Sequence, residues 1–94
     1  MAHARPLTLL GVAAMILVGC ARALPEDGGP AARLYVARCG SCHQAYPPRA
    51  LTAAMWEMQL TAMKPKIAAA GQTSLTPAEN RMILDYLRRN AGGA

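Results

Sequence analysis

The chain has no phenylalanine, one tryptophan and three tyrosines in 94 residues. A domain this small buries little surface and is marginal without a metal, disulfides or a partner. With so few aromatics, something besides ring side chains should fill its interior. No stretch alternates polar and apolar residues as a half-buried strand does, and no segment repeats. No block of like charge is present. Ten Lys and Arg face five Asp and Glu, for a formal charge of +5, and the cations are scattered. That pattern argues against a nucleic-acid-binding segment. A diffuse positive surface suits acidic partner proteins or anionic lipid. No paired carboxylates and no nucleophile with a base nearby stand out, so neither an enzyme nor a small-molecule substrate is expected.

The N-terminus differs from the rest. His3 and Arg5 precede an almost wholly apolar run, Leu7 to Val18. A short basic head and an apolar stretch of this length read as a secretory signal. A transmembrane helix needs about 20 apolar residues, and Arg22 and Pro25 cut the run short. The run ends Leu17-Val18-Gly19-Cys20, which resembles the lipobox of bacterial lipoproteins. That resemblance implies removal of residues 1–19, a lipid on Cys20 and attachment to a bacterial membrane on its periplasmic side. Ala21 after Cys20 leans towards the outer membrane. Residues 20–30 are rich in Pro and Gly and read as a flexible tether. Residues 31–94 form the domain.

Within the domain the spacing predicts three helices and long loops, an all-α fold. The first runs from Ala31 to Arg38, with Leu34 and Tyr35 on one face. Pro47 and Pro48 then hold the chain extended. The second runs from Thr52, a suitable N-cap, to Lys64, with Pro65 as its stop. Trp56, Leu60 and Met63 share a stripe there. The third opens on Thr76-Pro77-Ala78-Glu79, a capping box with proline at the first helical position. Ile83, Leu84, Tyr86 and Leu87 supply its apolar face, and Gly92-Gly93 stops it.

Cys39-Gly40-Ser41-Cys42-His43 is the Cys-x-x-Cys-His motif of covalent haem c attachment. Two thiols three positions apart reach the two vinyl groups of one porphyrin. The histidine that follows comes under the iron as an axial imidazole. Small Gly40 and Ser41 let the backbone turn close to the macrocycle edge. Attachment of haem after export agrees with a secretory signal. A thioredoxin-like dithiol needs a βαβ setting, which is missing. A closed zinc site needs four ligands, and beyond the motif only Cys20 remains once His3 leaves with the signal.

Residues 31–90 resemble the small class I-like monohaem cytochrome c domains of bacteria. The similar features are the Leu34-Tyr35 helix, the Cys-x-x-Cys-His motif, the proline turn, the Trp56 helix and the closing Ile83-Leu84-Asp85-Tyr86-Leu87. Cys39 to Pro48 is especially similar to short domains carrying Cys-x-x-Cys-His-x-x-Tyr-Pro-Pro, in some of which a histidine stands where Met63 is here. The resemblance implies helices wrapped around one covalent haem. It also implies that the carbonyl of Pro47 or Pro48 accepts the Nδ1 proton of His43.

The sixth iron ligand has to be chosen among few groups. Met55, Met58, Met63 and Met82 are candidates, with Lys64 or a vacant position as alternatives. Met63 is favoured because it shares the stripe of Trp56 and Leu60. Met55 and Met58 then read as core fillers. Trp56 is open between packing on haem, donating to a propionate, and ordinary core packing. The function expected is single-electron transfer to and from redox partner proteins. The alternatives are a haem-based sensor with an open sixth position, and a small haem subunit of a larger oxidoreductase.

Overall fold

The computed structural model describes residues 23–93; the signal-like run, the lipobox and Cys20 lie outside the described residues. Three helices make the domain: α1 at Pro30–Cys39, α2 at Ala53–Ala69 and α3 at Pro77–Arg89. A 3₁₀ turn at Pro48–Ala50 joins α1 to α2. The described residues contain no strand, and no described helix is long and apolar enough to cross a membrane. The all-α expectation holds.

Helix α3 forms where its caps say it should. The Thr76 hydroxyl accepts from the Glu79 backbone N–H at 3.1 Å, and the Glu79 carboxylate takes the Thr76 N–H at 3.0 Å. Arg88 and Arg89 close the helix at the end where its dipole favours cations. Three residues of its apolar face are buried, Ile83 and Tyr86 at 0% exposure and Leu87 at 2%, and Leu84 is half-buried beside them. Helices α1 and α2 both pack on α3, and their backbones do not contact each other. The core is therefore a wedge. Ala31, Ala32 and Tyr35 come from α1, Trp56 and Leu60 from α2, and α3 lies across both.

Helix α2 departs from expectation at Pro65, which lies inside it rather than ending it. Proline cannot donate to the carbonyl of Thr61. The helix nevertheless continues for another turn, because Ile67 beyond the proline is buried at 4% exposure. Gly71, at φ +78°, then takes the left-handed conformation that ends the segment.

The segment before α1 is not loose where it is described. Leu24 packs on the core. The Tyr86 hydroxyl donates to the Pro25 carbonyl at 2.9 Å. Arg89 grips the Glu26 carboxylate with two nitrogens, at 2.8 and 2.7 Å, and Asn90 adds a third hydrogen bond. Those contacts hold Glu26 well below the usual carboxylate range, at about 2. Glu26 and Gly28, both at positive φ, turn the chain into α1. The reading of residues 20–30 as one flexible tether fails from Leu24 onward. Partners 61 and 63 residues away outweigh local Pro and Gly content.

Candidate functional site

The gap left between α1 and α2 is the candidate site. Helix α1 ends at Cys39, and Gly40 must follow it. A Cβ on Gly40 would lie 2.6 Å from the Val36 carbonyl oxygen, so a larger residue there would push the motif off the helix. Three hydrogen bonds fix the loop that continues from the motif. Tyr35 donates to the Tyr46 carbonyl at 2.7 Å, Trp56 Nε1 donates to the Pro48 carbonyl, and the Gly92 N–H donates to Leu51 at 2.8 Å. The loop after α2 braces the motif from behind. Gln72 donates to the Ser41 hydroxyl, Arg38 donates to the Thr73 carbonyl, and Arg38 also lies 3.7 Å from Glu79.

Two adjoining cavities occupy the gap. One, of about 210 Å³, is lined by Tyr35, Cys39, His43, Tyr46, Trp56, Gln59, Leu60, Met63, Lys66 and Leu87. The other, of about 140 Å³, is lined by Arg38, Cys39, Ser41, Cys42, His43, Met63, Lys66, Ile67 and Gln72. Cys39, His43, Met63 and Lys66 belong to both. Motif donors thus form one wall and the thioether of α2 stands in the other, with aromatic and aliphatic side chains around them. This is a donor set and a lining that suit a flat apolar macrocycle with an iron at its centre.

The protonation of the site agrees with that use. Cys39 and Cys42 are free, not joined in a disulfide. Burial raises the Cys39 pKa, and Arg38 offsets this only in part. A thiol kept neutral disfavours a thiolate metal site. Among the described residues no cluster of three His, Cys, Asp or Glu side chains is arranged to hold a metal ion. His43 Nδ1 lies 2.9 Å from the Gln44 carbonyl. A carbonyl only accepts, so Nδ1 carries the proton and the Nε2 lone pair is left for a metal.

Several expectations need correcting. The Pro48 carbonyl takes Trp56 Nε1 and the Pro47 carbonyl takes the Ala50 N–H, so Gln44 serves His43 instead. Trp56, 6% exposed and with its Nε1 donating to the Pro48 carbonyl, packs in the core and borders the cavity, one of the roles left open for it. Met55 and Met58 are not core fillers, being 47% and 73% exposed; Met82 is 43% exposed. None of these three lines the cavities, whereas Met63 lines both. Lys64 lies in a groove against α3 and not at the site; Lys66 is the lysine that borders it. Gln59 and Lys66 were not foreseen. Their signal was spacing, since each sits three residues after a residue of the Trp56–Met63 stripe.

The family model described as dihaem cytochrome c matches residues 35–94. The match spans the motif, α2 and α3, and it names a two-haem family, not the monohaem class I domains the sequence resembles. No curated protein and no solved structure matches the chain.

Proposed function

The chain belongs to the dihaem cytochrome c family, and from that premise we propose that it carries single electrons with one haem c of its own, held at Cys39, Cys42 and His43. Membership supports covalent c-type haem and haem-based electron transfer. The number of haems is the finer point. One Cys-x-x-Cys-His occurs in the sequence, which supports one haem on this chain although the family is described by two. The bound haem supplies reversible one-electron chemistry at iron.

The chain's own residues do the rest. Cys39 and Cys42 fix the macrocycle edge by thioethers. His43 presents Nε2 to the iron while the Gln44 carbonyl orients the ring, an outer contact that raises the basicity of the ligand. Met63 is the sixth ligand in this reading, and its thioether favours ferrous iron and a higher potential than a second histidine would give. Trp56, Leu60 and Leu87 keep water from the site. The single observation that carries the reading is that Cys39, His43 and Met63 line the same two cavities.

The remaining features support transfer to redox partner proteins outside the cytoplasm. The lipobox-like Leu17-Val18-Gly19-Cys20 supports a lipid on Cys20 and a periplasm-facing membrane. Two or three acyl chains hold a protein to a bilayer where one is marginal. Cys20→Ser should release the domain or block its processing; unchanged membrane association of that variant would contradict the tether. No substrate-converting group accompanies the haem ligands, so the protein is read as a carrier and not an enzyme. The axial assignment is tested by Met63→Ala. The weak sulfur–iron band at the red edge of the ferric spectrum should vanish, the potential should fall, and ferrous haem should bind carbon monoxide. A band that survives Met63→Ala would assign the ligand elsewhere.

A further inference from the structure

The charged residues of α2, Glu57, Lys64 and Lys66, flank one exposed face that carries no charge. On the side turned away from α3 and from the cavity, Met55, Met58, Thr61, Ala62, Pro65 and Ala68 form an exposed, uncharged stripe at the spacing of one helical face. Met58 is 73% exposed. None of the six lines the haem cavities, and α1 meets α2 through Tyr35 on Trp56, away from the stripe. Haem in the cavities would thus leave the stripe open. Methionines are adaptable contact residues at binding surfaces, and an apolar run open to water points to an occupant.

The stripe is graded along its length. Its first half carries the two long methionines, and its second half carries alanine and proline. The flank facing α3 is graded too, with Glu57 near the start and Lys64 near the end. We propose that the occupant is a second copy of this chain, docked antiparallel through α2 about a two-fold axis near Thr61 and Ala62. That arrangement sets Met55 and Met58 of one copy over Ala68 and Pro65 of the other, large on small. Like flanks meet across such an axis, so Glu57 of each copy comes beside Lys64 of the other. Glu57 is held by Arg88 at 2.8 Å but its side chain is 58% exposed, and a carboxylate has acceptor sites to spare. Lys64 has no acidic partner among the described residues. A parallel copy would set opposite flanks together, leaving Glu57 beside Gln59 and Lys64 beside Lys66, and a lipid surface would ignore the grading.

The contact is small. The stripe spans about 20 Å at the rise of an α-helix, short of what a permanent interface covers, so the dimer is weak and concentration-dependent. It has a consequence for transfer. Met63 and Gln59 lie on the same helix beyond the edge of the stripe, so the pair holds two haem sites in one assembly, one from each chain. Only this haem count rests on the one-haem reading above; the docking does not.

The test uses the mature holoprotein made from the full chain. In membranes, Ala62→Cys should give a disulfide-linked dimer under mild oxidation, while Arg33→Cys, exposed on α1, should not. In detergent, sedimentation equilibrium should show association that Met58→Glu weakens by about tenfold or more, because it would bury an unpaired charge. Glu57→Lys and Lys64→Glu should each weaken it, and the double exchange should restore it. Equal cross-linking of Ala62→Cys and Arg33→Cys, or a dimer indifferent to Met58→Glu, would overturn the proposal. A monomer whose Met58→Glu form loses binding to anionic vesicles would overturn it in favour of a lipid-facing helix. Haem content by mass is read on every variant. Two haems on a chain that still dimerises would remove the one-haem reading and leave the docking intact.

Discussion

Helices α2 and α3 lie side by side and were built by different rules. Helix α3 separates its faces sharply: Ile83, Tyr86 and Leu87 are buried, while Arg81, Asp85, Arg88 and Arg89 face water. It is capped at both ends and touches both other helices. Helix α2 spreads its apolar residues around most of its circumference, with Glu57, Gln59, Lys64 and Lys66 between them. One side packs on α3, one faces the cavity with Trp56, Gln59 and Met63, and one is open with Met55 and Met58. The difference separates stability from function. The amphipathic helix holds the fold, and α2 spends its apolar surface on the cavity wall and on the proposed docking stripe.

The largest effect should come from the cavity side. Replacing Cys39 and Cys42 together with alanine should abolish covalent haem and leave a domain too small to be stable without it, seen as loss of haem-stained protein after maturation. The next should come from α3. Ile83→Ala should cost about 2–5 kcal/mol of holoprotein stability, as large-to-small changes in a filled core do. Met58→Ala on the open side of α2 should stay within about 0.5 kcal/mol. Thermal unfolding of the two variants reads the contrast, and equal losses would break it.

Smaller effects belong to the strap that ties Leu24–Glu26 to α3. Tyr86→Phe removes the bond to the Pro25 carbonyl and should cost about 1 kcal/mol. Glu26 is held at about 2 by Arg89 and Asn90, against an ordinary value of 4.5. A lowered carboxylate pKa stabilises the folded state above the unfolded value, and that contribution is lost as the pH falls from 4.5 towards 2. Amide-exchange protection at residues 24–29, corrected for the intrinsic pH dependence of exchange, should therefore fall over that range in the parent and stay constant in Glu26→Gln. The opposite end of the scale involves Tyr35, whose pKa burial raises. Its contribution is present below its ordinary value of 10.0 and lost as the pH climbs beyond it.

How far the sequence could be read follows the same division. Helix α3 was legible because its signals are local: a capping box, a proline at the first position and apolar residues three and four apart. The attachment motif was legible because its spacing is dictated by the porphyrin. Helix α2 hid its phase. A helix with apolar residues on three sides does not say which methionine faces inward, so Met55 and Met58 were misplaced while Met63 was put on the side where it stands. Pro65 misled because the buried Ile67 beyond it holds the last turn. The strap was missed for a related reason. Glu26 and Arg89 are 63 residues apart, and no local pattern joins them.

The central claim is a single haem held between α1 and α2 by the one motif of the chain. Intact mass and peptide mapping of the matured protein test it most directly. One haem should be found, on the peptide that contains both Cys39 and Cys42, with neither thiol open to alkylation. Two free thiols at those positions, or a mass corresponding to two haems, would contradict it.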